Sequence, residues 1–455
     1  MTEPTAAEPA LLARLRAHFG HDPAALPVVE QTFAPYERAN VQLALDELLA
    51  EPHRSAELVG VIVLQMYHAA GLARMARPGS SLNFDAGPVE YADVPLPGDR
   101  QLSCARNGLY LAREDGHPLA VLVSDGETPW QPQLKVEVMA ADRDRAEGFG
   151  RRLGRLARHG KAFRGHVLSL KGDCRGGLAV EFHRLPPVGR DDLILPEPLL
   201  RRVERHTLTF NRHAEALKAA GRHLKRGLLL YGPPGTGKTL TAMYLVSQMP
   251  GRTVLLLTGA GAGMIESACQ LARMLAPATV ILEDVDLIGT ERDQQSVGAN
   301  ALLFELLNQM DGLAEDTDVV FVLTTNRPDM LEPALASRPG RIDQAIEVPP
   351  PDADCRRRLL VRFGRGLRLE LADRDGLVAR TAGVTGAFLK ELLRKAAVFA
   401  AEDAGGGELV VRDAHVSEAL GELLVVGGPL TRSLLGAPTR APADPGDQDR
   451  AEVIS

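Results

Sequence analysis

The chain has 455 residues, enough for about two to four domains, and its 45% hydrophobic and 24% charged residues are the proportions of an ordinary water-soluble protein. Aromatics make up only 4%, so its cores must rest on Leu, Val and Ala, and a net charge of −7 argues against a general nucleic-acid or anionic-membrane binder. The four cysteines, Cys104, Cys174, Cys269 and Cys355, show neither zinc-site spacing nor a disulfide framework, the pattern of reduced thiols in a cytoplasmic protein.

The opening MTEPTAAEPALLARLRAHFG places acids before its apolar residues and has no basic n-region, so it does not read as a secretory signal. Residues 1–78 carry helical periodicity and are expected to form a helical region. Their most apolar window, LVGVIVLQMYHAAGLA (residues 58–73), contains Gln65 and His68 and falls short of the ~20 apolar residues of a membrane span. It is expected to be a buried helix. Residues 79–192 then read as an α+β region of unassigned role. The runs LYLARE, PLAVLVSDG, QPQLKVEVMA, GHVLSLKG and GLAVEFH are strand-like and separated by Gly, Pro and Asp turns. Between the third and fourth lies the basic segment GRRLGRLARHGKAFRG (residues 150–165). With Phe149, Leu153 and Leu156 on one helical face and arginines opposite, it is expected to be a solvated amphipathic helix rather than a phosphate-binding patch.

The linker PPVGRDDLILPEP (residues 186–198) marks the main boundary. Over residues 193–350 apolar strands alternate with helical stretches, the pattern of an α/β domain with a parallel sheet and helices on both faces. PPPDADCRRRLLVRF opens a helical segment, residues 351–426, with Asp352 as N-cap. Residues 427–455, rich in Pro, Gly, Asp and Ala, are expected to be a disordered tail. The chain shows no internal repeat.

The densest chemical signal is GLLLYGPPGTGKTLTAM, a strand followed by Gly232, Pro233, Pro234, Gly235, Thr236, Gly237, Lys238, Thr239 and Leu240. It fits G-x-x-x-x-G-K-[ST] in a strand–loop–helix setting, where glycines let backbone N–H groups converge on phosphate oxygens at a helix N-terminus. Lys238 is expected to reach the β and γ phosphates of ATP, and Thr239 to ligate Mg²⁺. A second glycine-rich stretch, VLLLTGAGAGM, imitates a dinucleotide fingerprint, with Gly259, Gly261 and Gly263 after a strand and Glu283 about 20 residues on. Its last glycine is misplaced and Met264 stands where it should be. A nicotinamide oxidoreductase is therefore set aside.

Downstream, VILEDVDLIG ends an apolar strand on Glu283 and Asp284, with Asp286 beyond. Neighbouring side chains on a strand point to opposite faces, so the two acids are expected to do different jobs. VVFVLTTNRPDMLEPALASRPGRIDQ supplies another buried strand with Asn326 at its tip, placed to orient an attacking water. Arg338 and Arg341 follow at the spacing of arginines that reach a neighbouring γ-phosphate.

GPPGTGKT, the acid-ended strand, LLNQMDGL, TTNRPDMLEPAL and RPGRID, in that order, resemble the AAA family of ATPases over residues 193–424. The resemblance implies a P-loop NTPase domain at residues 193–350, a small all-α lid at 351–426 and a hexameric homo-oligomer with nucleotide at subunit interfaces. TAGVTGAFLKELLRKAA is similar to the family's second sensor region, so Gly386 and Ala387 are expected beside the nucleotide, and His206, Thr207 and Leu208 on the adenine side. The family order of acids is Asp then Glu, the first supporting magnesium and the second polarising water. Here Glu283 takes the metal side and Asp284 the water side. Asp284 is one methylene short and needs a displaced backbone or a second water. The Glu–Asp order resembles the mitochondrial translocase branch, which is compatible with hydrolysis.

The sequence contains no H-E-x-x-H, so a zinc peptidase of the membrane AAA protease kind is not expected, and AEVIS lacks the penultimate tyrosine by which proteasomal ATPases dock. Family members that thread clients present an aromatic pore loop, but LLLTGAGAGMIESACQ has no aromatic residue, leaving Met264 and Ile265 either to grip a client or to pack in the core. The expectation is a cytoplasmic ATP-hydrolysing remodeller of a protein client, with no membrane span and no nucleic acid. The alternative is a nucleotide-dependent scaffold or switch with little turnover.

Overall fold

A computed structural model describes residues 9–64, 70–79, 83–126, 133–172, 178–257, 264–286, 298–312, 317–329, 342–404 and 408–423. Its strands, in chain order, are β1 Val28–Phe33, β2 Arg54–Val63, β3 Phe84–Gly87, β4 Tyr91–Leu96, β5 Arg100–Ala105, β6 Gly108–Glu114, β7 His117–Asp125, β8 Leu134–Ala140, β9 Val167–Gly172, β10 Leu178–His183, β11 Arg226–Tyr231, β12 Thr253–Leu257, β13 Ala278–Leu282, β14 Val319–Thr325, β15 Gln344–Glu347, β16 Arg368–Glu370 and β17 Val410–Arg412. They fall into two compact units. The first comprises Met1–Arg184, Gly251–Leu257 and Glu266–Ala278, the second Leu185–Pro250, Thr258–Ile265 and Thr279–Ser455.

The first unit is built on a six-stranded sheet in the order β1-β8-β7-β6-β2-β3, antiparallel throughout. Both faces of its centre are covered. Leu119, Val121 and Val123 of β7 enter a core with Leu45 and Leu48 of helix Arg38–Leu49 and with Phe149 and Leu153 of helix Arg143–Arg158. Ala120 and Leu122 face the other way, toward Leu11 and Leu15 of helix Ala10–Phe19 and toward Met75. Two-sided burial is why this strand reads as an unbroken apolar run rather than an alternating one.

The amphipathic helix is present and begins at Asp142, whose side chain accepts from the Arg145 N–H. One of its arginines is occupied on the protein itself: Arg152 donates to Glu114 at 2.6 Å. The buried helix expected over residues 58–73 is not there. Residues 54–63 are β2, with Val59 opposite Leu109 of β6, and among the described residues of the window the helix that follows is the short Leu72–Met75. A short, wholly apolar run cannot be assigned by periodicity, and the β-branched Val59, Val61, Ile62 and Val63 favour the pleated surface. With β1 and β2 in it, the N-terminal region is not the helical one expected for residues 1–78.

β12 also belongs to this unit. It pairs parallel with β9, Leu255 opposite Leu168, and β9 pairs antiparallel with β10. Arg164 ties the end of helix Ile265–Met274 to the same region by donating to the Met274 carbonyl at 2.9 Å. The compact units therefore exchange chain, whereas the expected division at residue 192 was linear.

The second unit carries the strand order β13-β14-β11-β15, with β11 parallel to β14 (Leu229 opposite Leu323) and to β15 (Leu229 opposite Ala345). Every residue of β13 and β14 is buried, as expected of strands covered on both faces. Such sheets present ligand sites at the carboxyl ends of their strands. Helices Ala353–Phe363, Arg374–Arg380, Gly386–Ala404 and Asp413–Gly421 follow, packed around Leu360, Val378, Phe388, Leu392 and Leu420. Asp352 caps the first of them, accepting from the Cys355 N–H at 2.8 Å. The expected all-helical lid additionally contains a parallel ribbon of β16 with β17. Among the described residues no helix is long and apolar enough to cross a membrane.

Candidate functional site

β11 delivers the glycine-rich loop, residues 232–237, and helix Lys238–Ser247 leaves from it. Gly237, at the helix N-cap, has φ +104° with open space where a Cβ would stand. Gly235 has φ +78°, and a Cβ there would lie 2.7 Å from that of Ala387. Both positions thus require glycine, the first for its backbone angle and the second also for close approach. The loop is braced internally, with Thr236 Oγ1 donating to the Pro233 carbonyl at 3.0 Å.

Lys238 is buried, and its Nζ donates to the carbonyls of Gly232 and Pro233, both at 2.8 Å, and to Asn326 Oδ1 at 2.7 Å. Burial lowers its pKa, opposed by the charges of Asp284 and Asp286. From the tip of β14, Asn326 also donates through Nδ2 to Asp284 Oδ1 at 3.1 Å. Lysine, amide and carboxylate therefore form one hydrogen-bonded series.

Glu283 stands beside this series, half-buried, and its carboxylate accepts from the Thr239 hydroxyl. Burial raises its pKa, and the neighbouring Asp284 raises it further. Its Oε1 is buried with no hydrogen-bond partner. A buried carboxylate oxygen left open next to a threonine hydroxyl is a hard, oxygen-only donor pair. It suits Mg²⁺, which binds through few protein oxygens and retains water and phosphate ligands.

The separation of the two acids does not come from strand alternation, as the sequence suggested. β13 stops at Leu282, and Asp284 has φ +47°, in the left-handed region. The backbone at Asp284 thus leaves the strand conformation. Two further residues escaped the sequence reading. Asp286, buried, accepts from Thr325 Oγ1 at 2.8 Å and from the Asn326 N–H at 3.2 Å, fastening the tip of β14. Thr324 Oγ1 accepts from the Asp284 N–H at 3.0 Å. The third acid of the EDVD run was the available signal for Asp286; for Thr324 there was none.

A cleft of about 230 Å³ opens beside the loop, lined by Leu193, Ile194, Leu195, Gly237, Leu240 and Ala387 among others. The Ala387 N–H donates to the Gly235 carbonyl at 3.2 Å, so the expected lid residues Gly386 and Ala387 do stand against the loop. Across the cleft mouth, Arg362 donates to Asp192 at 2.7 Å. The backbone Gly189 N–H and this guanidinium hold the Asp192 pKa below the usual carboxylate value. His206, Thr207 and Leu208 do not line the cleft. Thr207 and Leu208 are buried, and the Thr207 hydroxyl donates to the Val203 carbonyl at 2.8 Å. The preceding segment, residues 192–196, lines it instead. Arg338 and Arg341 lie outside the described residues, as do residues 258–263. Of the two candidate gripping residues, Ile265 is buried and Met264 half-buried.

Residues 228–350 match the model of the ATPase family associated with various cellular activities (AAA). The ATP-dependent zinc metalloprotease FtsH of Rhodococcus erythropolis is 35% identical over 229 residues, covering 48% of this chain and 26% of that protein. FtsH 2 of Sphaerobacter thermophilus is 39% identical over 203 residues, covering 42% of this chain and 31% of that protein. The proteasome-activating nucleotidase of Pyrococcus horikoshii is 35% identical over 201 residues, covering 42% of this chain and 50% of that protein. The match thus spans from about a quarter to half of the length of these relatives.

Proposed function

We propose that residues 228–350, which match the AAA family model, bind and hydrolyse ATP and that the chain uses the cycle to remodel a protein client. The observation that carries the hydrolytic reading is the series Lys238–Asn326–Asp284 beside the open Oε1 of Glu283.

In this reading the adenine enters the cleft along residues 192–196 and the phosphates lie on the N–H groups of residues 235–239, at the positive end of the helix. Lys238 exchanges its bonds to the Gly232 and Pro233 carbonyls for phosphate oxygens. Thr239 and Glu283 hold Mg²⁺, which neutralises charge developing on the phosphate oxygens when bound. Asp284 accepts the proton of the attacking water, which Asn326 orients. Gly386 and Ala387 close the site from the lid.

We extend the proposal to a hexameric homo-oligomer in which Arg338 and Arg341 reach the nucleotide of a neighbouring subunit. The relatives' names supply the support for a protein client, since one is an ATP-dependent protease and another a nucleotidase that activates the proteasome. A cytoplasmic location accords with the cysteine pattern. Steady-state phosphate release by the purified chain, with Mg²⁺-ATP and with chelator, is the test. Tight nucleotide binding without release would instead make it a nucleotide-dependent switch.

A further inference from the structure

Asp284 adopts φ +47°, a conformation that few non-glycine residues enter and that Asp and Asn tolerate best. Among the described residues, Asp99 and Asp115 share a positive φ, and each adjoins a glycine in the reversal between paired strands, where such angles are required. Asp284 makes no such reversal. It follows a buried strand and precedes the buried Asp286.

Two bonds fix the conformation, and both go to one residue. The Asp284 N–H donates to Thr324 Oγ1 at 3.0 Å, and the Val285 N–H donates to the Thr324 carbonyl at 3.0 Å. Thr324 is itself fully buried on β14. Held in this way, the carboxylate meets Asn326 Nδ2 at 3.1 Å.

We infer that position 284 is built for aspartate, the left-handed backbone supplying what the missing methylene would have supplied, and that Thr324 is the positioning residue that holds it there. A glutamate at 284 would meet the steric penalty of the left-handed region and would carry its carboxylate past the Asn326 amide. Restoring the Asp–Glu order by exchanging the two acids therefore lowers activity rather than raising it. The kinetic part of this inference rests on the proposal that the chain hydrolyses ATP; the conformational part does not.

The test has two arms on the full chain. The first is thermal unfolding without nucleotide. At an ordinary extended or helical position alanine is at least as stable as glycine, but at positive φ the order reverses. D284G should therefore melt about 2–4 °C above D284A, with D284N above both D284A and D284E. The second arm is turnover. D284E and T324V should each lose roughly 10- to 100-fold in kcat with little change in KM, the size expected of a displaced reacting group. T324S, which keeps the hydroxyl acceptor, should stay within about threefold of the wild type, an outcome that packing alone would not give. D284A melting above D284G overturns the inference, as does wild-type turnover by D284E or T324V. If the wild-type chain shows no turnover, the hydrolytic proposal fails, while the glycine–alanine order still decides the backbone inference.

Discussion

Asn326 bonds Asp284 through Nδ2 at 3.1 Å while its Oδ1 accepts from Lys238 at 2.7 Å, so one amide fixes both the cation and the acid of the site. Removing it should leave Lys238 free to meet phosphate but release Asp284. Asn326→Ala is expected to lower kcat by roughly 10²–10³-fold, the loss typical of a preorganised polar group. Its affinity for a fluorescent ATP analogue should change only a fewfold. An unaltered kcat would remove Asn326 from the reaction.

Asp284→Asn keeps the shape, the backbone preference and one oxygen of the aspartate but cannot take a proton. ATP should bind as in the wild type, with phosphate release slowed at least ~10²-fold, the lower range for a general base. Single-turnover hydrolysis with prebound ATP checks this directly. Wild-type release would show that the proton goes elsewhere.

Glu283 carries a prediction in pH. Burial, reinforced by Asp284, raises its folded pKa above the ordinary 4.5, so its stabilising contribution is complete below that value and lost as pH rises through the folded pKa. Glu283→Gln cannot ionise. In thermal unfolding without nucleotide it should match the wild type below about pH 4.5 and melt higher at neutral pH. The same variant should weaken the magnesium dependence of ATP binding. A neutral-pH melting point below that of the wild type would contradict a half-buried carboxylate whose burial and acidic neighbour disfavour its charge.

Lys238→Ala and Arg341→Ala should each be inactive, the first from loss of phosphate binding and the second from loss of charge stabilisation, which for such arginines is worth ~10³–10⁵ in rate. Mixed under exchange conditions they should regain part of the activity, because some interfaces then pair an intact loop with an intact arginine. Turnover that is insensitive to Arg341→Ala and to protein concentration would argue for a site complete in one chain.

Met264 remains half-buried while Ile265 is buried, so only the first retains surface for a client. Met264→Ser should reduce client-stimulated turnover and leave basal turnover and assembly intact. Because the preceding loop offers no aromatic side chain, the wild type is expected to unfold a stable tagged reporter poorly, and robust unfolding would reverse that view.

The phosphate loop was legible because its chemistry is contiguous: glycines, lysine and threonine sit in one stretch whose strand and helix are visible on either side. The lid contact through Ala387 was legible from the family resemblance. The register after β13 was not, since an aspartate does not announce a positive φ and the bonds that impose it come from Thr324, 40 residues away. β2 was not legible as a strand because its apolar part, from Leu58 onward, is a short run with no periodicity to separate strand from helix. That residues 192–196 line the cleft and Thr207 and Leu208 are buried was not legible, because both segments lie beside arginines and only packing separates them.

The bond from the Ala387 N–H to the Gly235 carbonyl joins two pieces of backbone, and side-chain chemistry can neither tune nor replace it. A single methyl group at 235 would stand 2.7 Å from the Ala387 methyl and act as a wedge between loop and lid. Substitution there would change lid posture and phosphate binding together, so the two could not evolve independently through this position. The contact between Arg362 and Asp192 is of the opposite kind, made by side chains that substitution can lengthen, shorten or remove without disturbing the loop backbone.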